Sequence, residues 1–218
     1  MKIKWYGHSA FQITTDDNTR IIIDPYESGA FGGSIAYGRI RDEANIVLTS
    51  HEHGDHNYIK DIQGKFVHIK EAGQYEEKGI TIKALPTFHD KSQGRERGTN
   101  LVFVVTADDI TVAHLGDLGH TLDSDALQSI GKVDILLLPV GGSFTIDAKE
   151  ASKVMNDINP AITIPMHYKT ESIAMPFDGV EGFIKDKKNV KETSGSEIII
   201  NKSMLPKTHE IIIMQHAL

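Results

Sequence analysis

Five apolar, β-branched runs of this chain end on a histidine or an aspartate: "RIIID" (20–24), "NIVLTSH" (45–51), "ITIKALPTFH" (80–89), "TVAHLGD" (111–117) and "TIPMH" (163–167). Runs of this kind read as buried β-strands. A strand that stops at a side chain able to hold a metal or a proton places chemistry at its end. Any fold for this chain has to bury the runs and dispose of the polar groups that close them.

The N-terminal half reads as short strands at 2–6, 10–15 and 20–24, with a hairpin turn at Asp16-Asp17-Asn18, then strands at 45–50, 65–69 and 80–87. A long hairpin over 100–117 turns at Asp108-Asp109. The second half alternates differently. A helix fits "SDALQSI", closed by Gly131, and leads into a buried strand at 134–140. Asp147 and Glu150 are spaced as a capping box for a helix over 148–158. A strand at 161–168, a helix near "VEGFIKD" and β segments at "EIII" and "HEIIIM" complete the chain. The pattern predicts an α/β protein, with two mixed sheets packed face to face and helices outside, as one domain over 1–218.

Composition narrows the chemistry. With no cysteine, disulfides and thiolate zinc sites are excluded, and a metal must sit on imidazole and carboxylate. The formal charge of −7 opposes a phosphate backbone as the main partner, so nucleic acid is not expected. No run is apolar enough to span a membrane, and the N-terminus "MKIKWYGHSAFQI" lacks the unbroken apolar region of an export signal. A cytoplasmic setting is expected. The sequence leaves the oligomeric state open, a homo-oligomer included.

The densest feature is "LTSHEHGDHNY" (48–58), with His51, Glu52, His53, Asp55 and His56 within six positions. In extended backbone, residues two apart share a face, so His51 and His53 can point the same way. Gly54 permits a bend that turns Asp55 and His56 towards a second position. The alternative is a solvated polar loop, but four potential ligands in six residues are hard to explain as one. His89, Asp117 and His167, each past a strand, are the candidates to complete the coordination. His114 competes with His89. Three residues from Asp117 in extended chain, it faces the other way, and it reads as a packed or hydrogen-bonded histidine.

At these residues the chain resembles the metallo-β-lactamase-fold superfamily of metal-dependent hydrolases. "HEHGDH" matches the His-x-His-x-Asp-His signature of that superfamily, and a single His, a Gly-Asp pair and a late His follow in the usual order. "WYGHSAFQI", "IIIDP", "HLGDLGH", "LLLPVGG" and "IPMHY" are closest to small cytosolic prokaryotic proteins described as zinc-dependent hydrolases, a group similar to the L-ascorbate-6-phosphate lactonases. The resemblance implies a four-layer αββα sandwich with metals at one edge, between the sheets. It implies that His51, His53 and His89 hold one divalent ion, that Asp55, His56 and His167 hold a second, and that Asp117 bridges them. It further implies hydrolysis by a hydroxide held on the two ions, with Asp55 relaying a proton. Zinc is the first choice, and manganese, iron and nickel suit the same ligands.

Around this core, His8 and Asp24 are candidates for orienting the ligands from behind, because ligand histidines give their second N–H to a carboxylate or carbonyl. A buried hydrogen-bonded histidine and a turn residue before Pro25 are the plain alternatives. Arg95 and Arg97, with Lys91 in the same loop, and Tyr168 and Lys169 beside His167, are candidates for contact with a small anionic substrate such as a lactone, thioester or phosphodiester. Ser143 and Thr145 either line the cleft or prepare a helix start. The Gly-rich stretch 25–40 lacks a nucleotide-binding signature and reads as a flexible flap over the cleft edge. Trp5 reads as core. Two other functions compete: a metal-binding or sensor protein without turnover, and an iron-loaded redox enzyme of the same fold.

Overall fold

The computed structural model describes residues 1–218. One sheet has six strands: β1 (Lys2–Gly7), β2 (Ala10–Thr14), β3 (Arg20–Ile23), β4 (Ile46–Leu48), β5 (Val67–Ile69) and β13 (Glu197–Ile199), in the order β13-β1-β2-β3-β4-β5. The other has eight: β6 (Gly73–Glu77), β7 (Ile80–Phe88), β8 (Thr99–Ala107), β9 (Ile110–His114), β10 (Ile135–Pro139), β11 (Ile162–Met166), β12 (Val190–Glu192) and β14 (Glu210–Ile213), in the order β12-β14-β11-β10-β9-β8-β7-β6. Both sheets are mixed. No helix is long and apolar enough to cross a membrane.

Side-chain alternation explains the stacking. In β1 to β3 the odd-numbered residues Ile3, Trp5, Phe11, Ile13 and Ile21, and in β4 the even-numbered Ile46 and Leu48, face the second sheet and share its core. Their alternates Tyr6, Ala10, Ile22 and Val47 form a separate cluster on the opposite face. β10, "ILLLP", is buried along its whole length because parallel strands within a sheet are covered on both faces.

The outer covering differs between the two sheets. α3 (Ala148–Ile158) packs on β10 and on α4 (Glu181–Ile184), and α2 (Ser124–Ile130) packs on β7. Asp147 caps α3 with the expected reciprocal bond from the Glu150 side chain, and Asp123 caps α2. The six-stranded sheet is covered instead by irregular chain containing one short turn, α1 (Ala30–Gly33). Tyr26, Ile35, Tyr37 and Ile40 of the Gly-rich stretch lie buried there. That corrects the expectation of a flap: the stretch is anchored by these buried side chains as an outer wall of the core, with Phe31 exposed at its tip.

Two strands escape a reading based on apolar runs. β6, "GQYEE", and β12, "VKE", are the two edges of the eight-stranded sheet. Edge strands tolerate and favour charge, so they carry no apolar signal.

Strand direction positions the site. β1 is antiparallel to β2, β2 to β3, and β3 is parallel to β4, so β1, β3 and β4 run the same way. By the same pairing β7, β9, β10 and β11 run together in the other sheet. Their carboxyl ends therefore gather at one edge of each sheet, the usual place for a site in such sheets.

Candidate metal centre

Six strand ends supply the polar groups. His8 follows β1, Asp24 follows β3, the 51–56 turn follows β4, His89 follows β7, Asp117 comes just after β9 and His167 follows β11. Three of these residues hold left-handed backbone: His8 (φ 52°), Asp24 (φ 48°) and His167 (φ 51°). Non-glycine residues avoid that region, and strain of this kind persists where the surroundings over-determine it, often at functional sites.

The 51–56 turn is closed by the N–H groups of His56 and Asn57, which both donate to the His53 carbonyl. Gly54 is not what allows it. Its φ is not left-handed and a Cβ there would meet open space, so the bend expected of this glycine is made by the whole turn. Gly119 and Gly141 matter more. A Cβ at Gly119 would lie 2.3 Å from the His89 carbonyl carbon, and one at Gly141 would lie 2.2 Å from the His167 carbonyl oxygen. Both glycines let a neighbouring segment pass against the backbone of a site histidine.

The side chains converge. The ligand atoms of His51, His53 and His89 lie within 4.8 Å of one another, as do those of His8, Asp55, His56 and His167, and those of His51, His56 and Asp117. Asp117 is the hub. Its Oδ2 lies 3.2 Å from the Nε2 atoms of His56, His89 and His167, and 3.8 Å from that of His51. The Asp117 N–H donates to Asn100 Oδ1 at 2.9 Å, which fixes the loop that carries it.

Asp24 sets two of the imidazoles. Buried completely, it accepts the Ser50 N–H at 2.7 Å through Oδ1, and through Oδ2 it accepts the Ser50 hydroxyl at 2.6 Å and His56 Nδ1–H at 2.9 Å. Because the Ser50 hydroxyl is spent on Asp24, its oxygen accepts from His51 Nδ1–H at 2.9 Å. In both histidines Nδ1 is thereby committed, and Nε2 is the atom turned inward. Burial opposes the charge on Asp24, but the hydrogen bond and charge of His56, with His114 and His51 nearby, hold its carboxyl below the usual range.

The charges agree with a ligand set. Burial, with His56 alongside, pushes His51 down to about 3, so its ring is neutral. Burial also works against Asp117, yet His167 and His56 hold it well below the ordinary carboxylate range. His56 is opposed by burial but held well above the ordinary histidine value by Asp117 and Asp55. His51 Nε2, His56 Nε2 and Asp117 Oδ1 are all buried without a hydrogen-bond partner. Buried orphans at this density call for cations. Imidazole nitrogen and carboxylate oxygen are the donors that zinc, manganese, iron or nickel accept, so the residues fit divalent metal.

With this geometry in view, the comparisons with known proteins agree. The sequence profile of the beta-lactamase superfamily domain matches residues 2–167. The chain belongs to the metallo-β-lactamase superfamily. Among its superfamily relatives is a metal-dependent hydrolase of Carboxydothermus hydrogenoformans, 31% identical over 198 residues covering 78% of this chain and 85% of the relative. A crystal structure from Thermotoga maritima, described as a Zn-dependent hydrolase of the superfamily, superposes with a TM-score of 0.81 at 33% identity, covering 98% of this chain and 97% of that one. The metallo-β-lactamase fold protein YhfI of Bacillus subtilis shares the fold, with a TM-score of 0.62 at 12% identity over 100% of this chain and 98% of its own.

The other expected residues separate. His8 Nε2–H donates to Asp55 Oδ2 at 3.1 Å, so His8 stands behind Asp55; burial, with His167 close, pushes His8 down to about 4. His114 donates Nε2–H to the Ser9 carbonyl and accepts from Gly116 N–H, and is fully satisfied as a structural group. A pocket of about 390 Å³ opens over the cluster, with Asp55, His89, Asp117 and Arg97 in its wall. Arg95 instead folds back on the Ser92 carbonyl, and Lys91 pairs with Glu150.

Tyr168 and Lys169 correct the expectation of substrate contact. Tyr168 packs on Trp5, ring centroids 5.5 Å apart, and Lys169 donates to the Met175 carbonyl. Both line a separate depression beside His216. Ser143 and Thr145 line a pocket adjoining the main one.

Sequence reading missed Asp90, Ser50, Asn100 and Phe144. Asp90 accepts four backbone N–H groups, from Ser92, Gly94, Glu96 and Arg97, and so shapes the loop that delivers Arg97. An aspartate opening a loop with glycine four residues on was the available signal.

Proposed function

We propose that residues 1–218 act as one catalytic domain that hydrolyses a small anionic substrate with two divalent cations, zinc foremost. His51, His53 and His89 would hold one cation, Asp55, His56 and His167 the other, with Asp117 between them. The single observation that carries this reading is the meeting of four imidazole Nε2 atoms on one buried carboxylate oxygen of Asp117. Cations bound there would supply an acidified water as nucleophile and positive charge for the oxygen that becomes negative.

The chain's own groups do the rest. Asp55 faces the pocket while His8 holds its Oδ2, and it takes up the proton released as the nucleophile forms. Arg97 has no carboxylate partner in a chain with more acids than bases, and its guanidinium lies 5.0 Å from the centre of the Phe144 ring. Held this way it presents its donors to a carboxylate or phosphate group. Asp24 and Ser50 keep the ligand histidines in one tautomer. The open pocket supports turnover over storage, because structural metal sites are closed.

The test is metal analysis of protein purified without added metal, followed by chelation, reconstitution and a screen of phosphodiesters, lactones and thioesters. Hydrolysis lost with chelator and restored with zinc or manganese is expected. Retained hydrolysis in fully stripped protein would refute the reading, and bound iron with redox turnover would replace it.

A further inference from the structure

Part of the pocket wall is apolar, and apart from Phe144, which holds Arg97, the hydrolytic reading leaves it unused. Of the five large apolar side chains left exposed, Phe31 is the only aromatic one and the only one lining the pocket over the histidines. It is 53% exposed at the tip of the Gly-rich stretch, and its backbone is left-handed (φ 52°), followed by Gly32 (φ 67°) and Gly33 (φ 91°). A phenylalanine there gains nothing from the core and sits in a backbone region that non-glycine residues avoid.

The tip is held in place. Ala36 N–H donates to the Ser172 carbonyl at 2.8 Å and Ala174 N–H to the Ser34 carbonyl at 2.9 Å, so the stretch pairs with the segment after His167. That segment carries Met175, which lines the same pocket. Phe144 lines it from the third side, and Phe177 joins Phe144 (centroids 5.8 Å) to His167 (4.5 Å). An apolar surface thus runs from solvent at Phe31 to the site histidines, with Arg97 as the one cation beside it.

We propose that the substrate carries an apolar alkyl, acyl or aryl group that seats against Phe31, Phe144 and Met175, while its anionic, reacting end lies at Arg97 and the histidine–aspartate cluster. This rests on the hydrolytic reading and narrows its substrate class. Phe31 then selects substrates by the length of that group.

Alkylphosphonates from methyl to octyl, binding zinc-reconstituted protein in a calorimeter, test it: the anionic head is constant and the tail varies. Affinity should rise up to about fourfold per methylene until the chain leaves the pocket. Phe31→Ala should lower the octyl-to-methyl affinity ratio about tenfold, and its exposed position keeps folding out of the comparison. Ile199→Ala, an exposed apolar position on β13, should leave the ratio unchanged. A flat series, an unchanged ratio in Phe31→Ala, or an equal drop in Ile199→Ala overturns the proposal while anion binding stands. Absence of methylphosphonate binding removes the anionic-substrate reading and this proposal together.

Discussion

Asp24→Asn is the sharpest probe of the centre, because it changes one atom and keeps the shape. Asn tolerates left-handed backbone as Asp does, so φ 48° adds no new strain. The carboxylate accepts three N–H or O–H donors, and the amide can accept on one side only. With its oxygen kept towards His56 and the Ser50 hydroxyl, its NH2 faces the Ser50 N–H, donor against donor. A buried unsatisfied donor costs about 1–3 kcal/mol. With the amide flipped, NH2 faces His56 Nδ1, and the imidazole must carry its proton on Nε2, towards Asp117. The lone pair needed for a cation is then lost. Either way zinc affinity should fall about 10- to 100-fold, the usual effect of removing a group behind a ligand. Competition with a chromophoric chelator measures it, and nitrogen-15 correlation spectra of the histidine rings report the tautomer. Unchanged zinc affinity, with His56 still protonated on Nδ1, would refute the role given to Asp24.

Asp117→Ala should reduce metal content and abolish hydrolysis while circular dichroism keeps the signature of the folded sheets; normal turnover would refute the bridging assignment. Gly119→Ala should cost about 3 kcal/mol in urea unfolding, since its Cβ would overlap the His89–Asp90 backbone. Metal-free protein should be most stable near pH 6.5. His8 (about 4) and His51 (about 3) bind fewer protons folded than unfolded, so their stabilisation is present above 6.5 and lost as pH falls. His56, held above 6.5, contributes fully below that value and loses its contribution as pH rises through its raised pKa. Zinc bound there would take the place of the proton on His56, so melting curves of the zinc-loaded protein should lose the alkaline decline.

Much of the architecture was legible because it is local. Period-two alternation marks β1 to β4, an unbroken apolar run marks β10, and the Asp147–Glu150 spacing marks the start of α3. The strand-end residues could be picked out one by one, since each follows an apolar run. The edge strands β6 and β12 could not, because an edge is defined by what is absent beside it.

The sequence by itself determined the donor chemistry, nitrogen and oxygen without sulfur, and the placing of each donor after a strand. Only the tertiary structure decided which donors meet and which neighbours serve them. Arg97 faces the pocket and Arg95 does not, although they stand two residues apart, because Asp90 winds their loop. Tyr168 turns to Trp5, and the Gly-rich stretch becomes a wall with one free phenylalanine. Those outcomes depend on contacts between segments far apart in the chain, and no local periodicity encodes them.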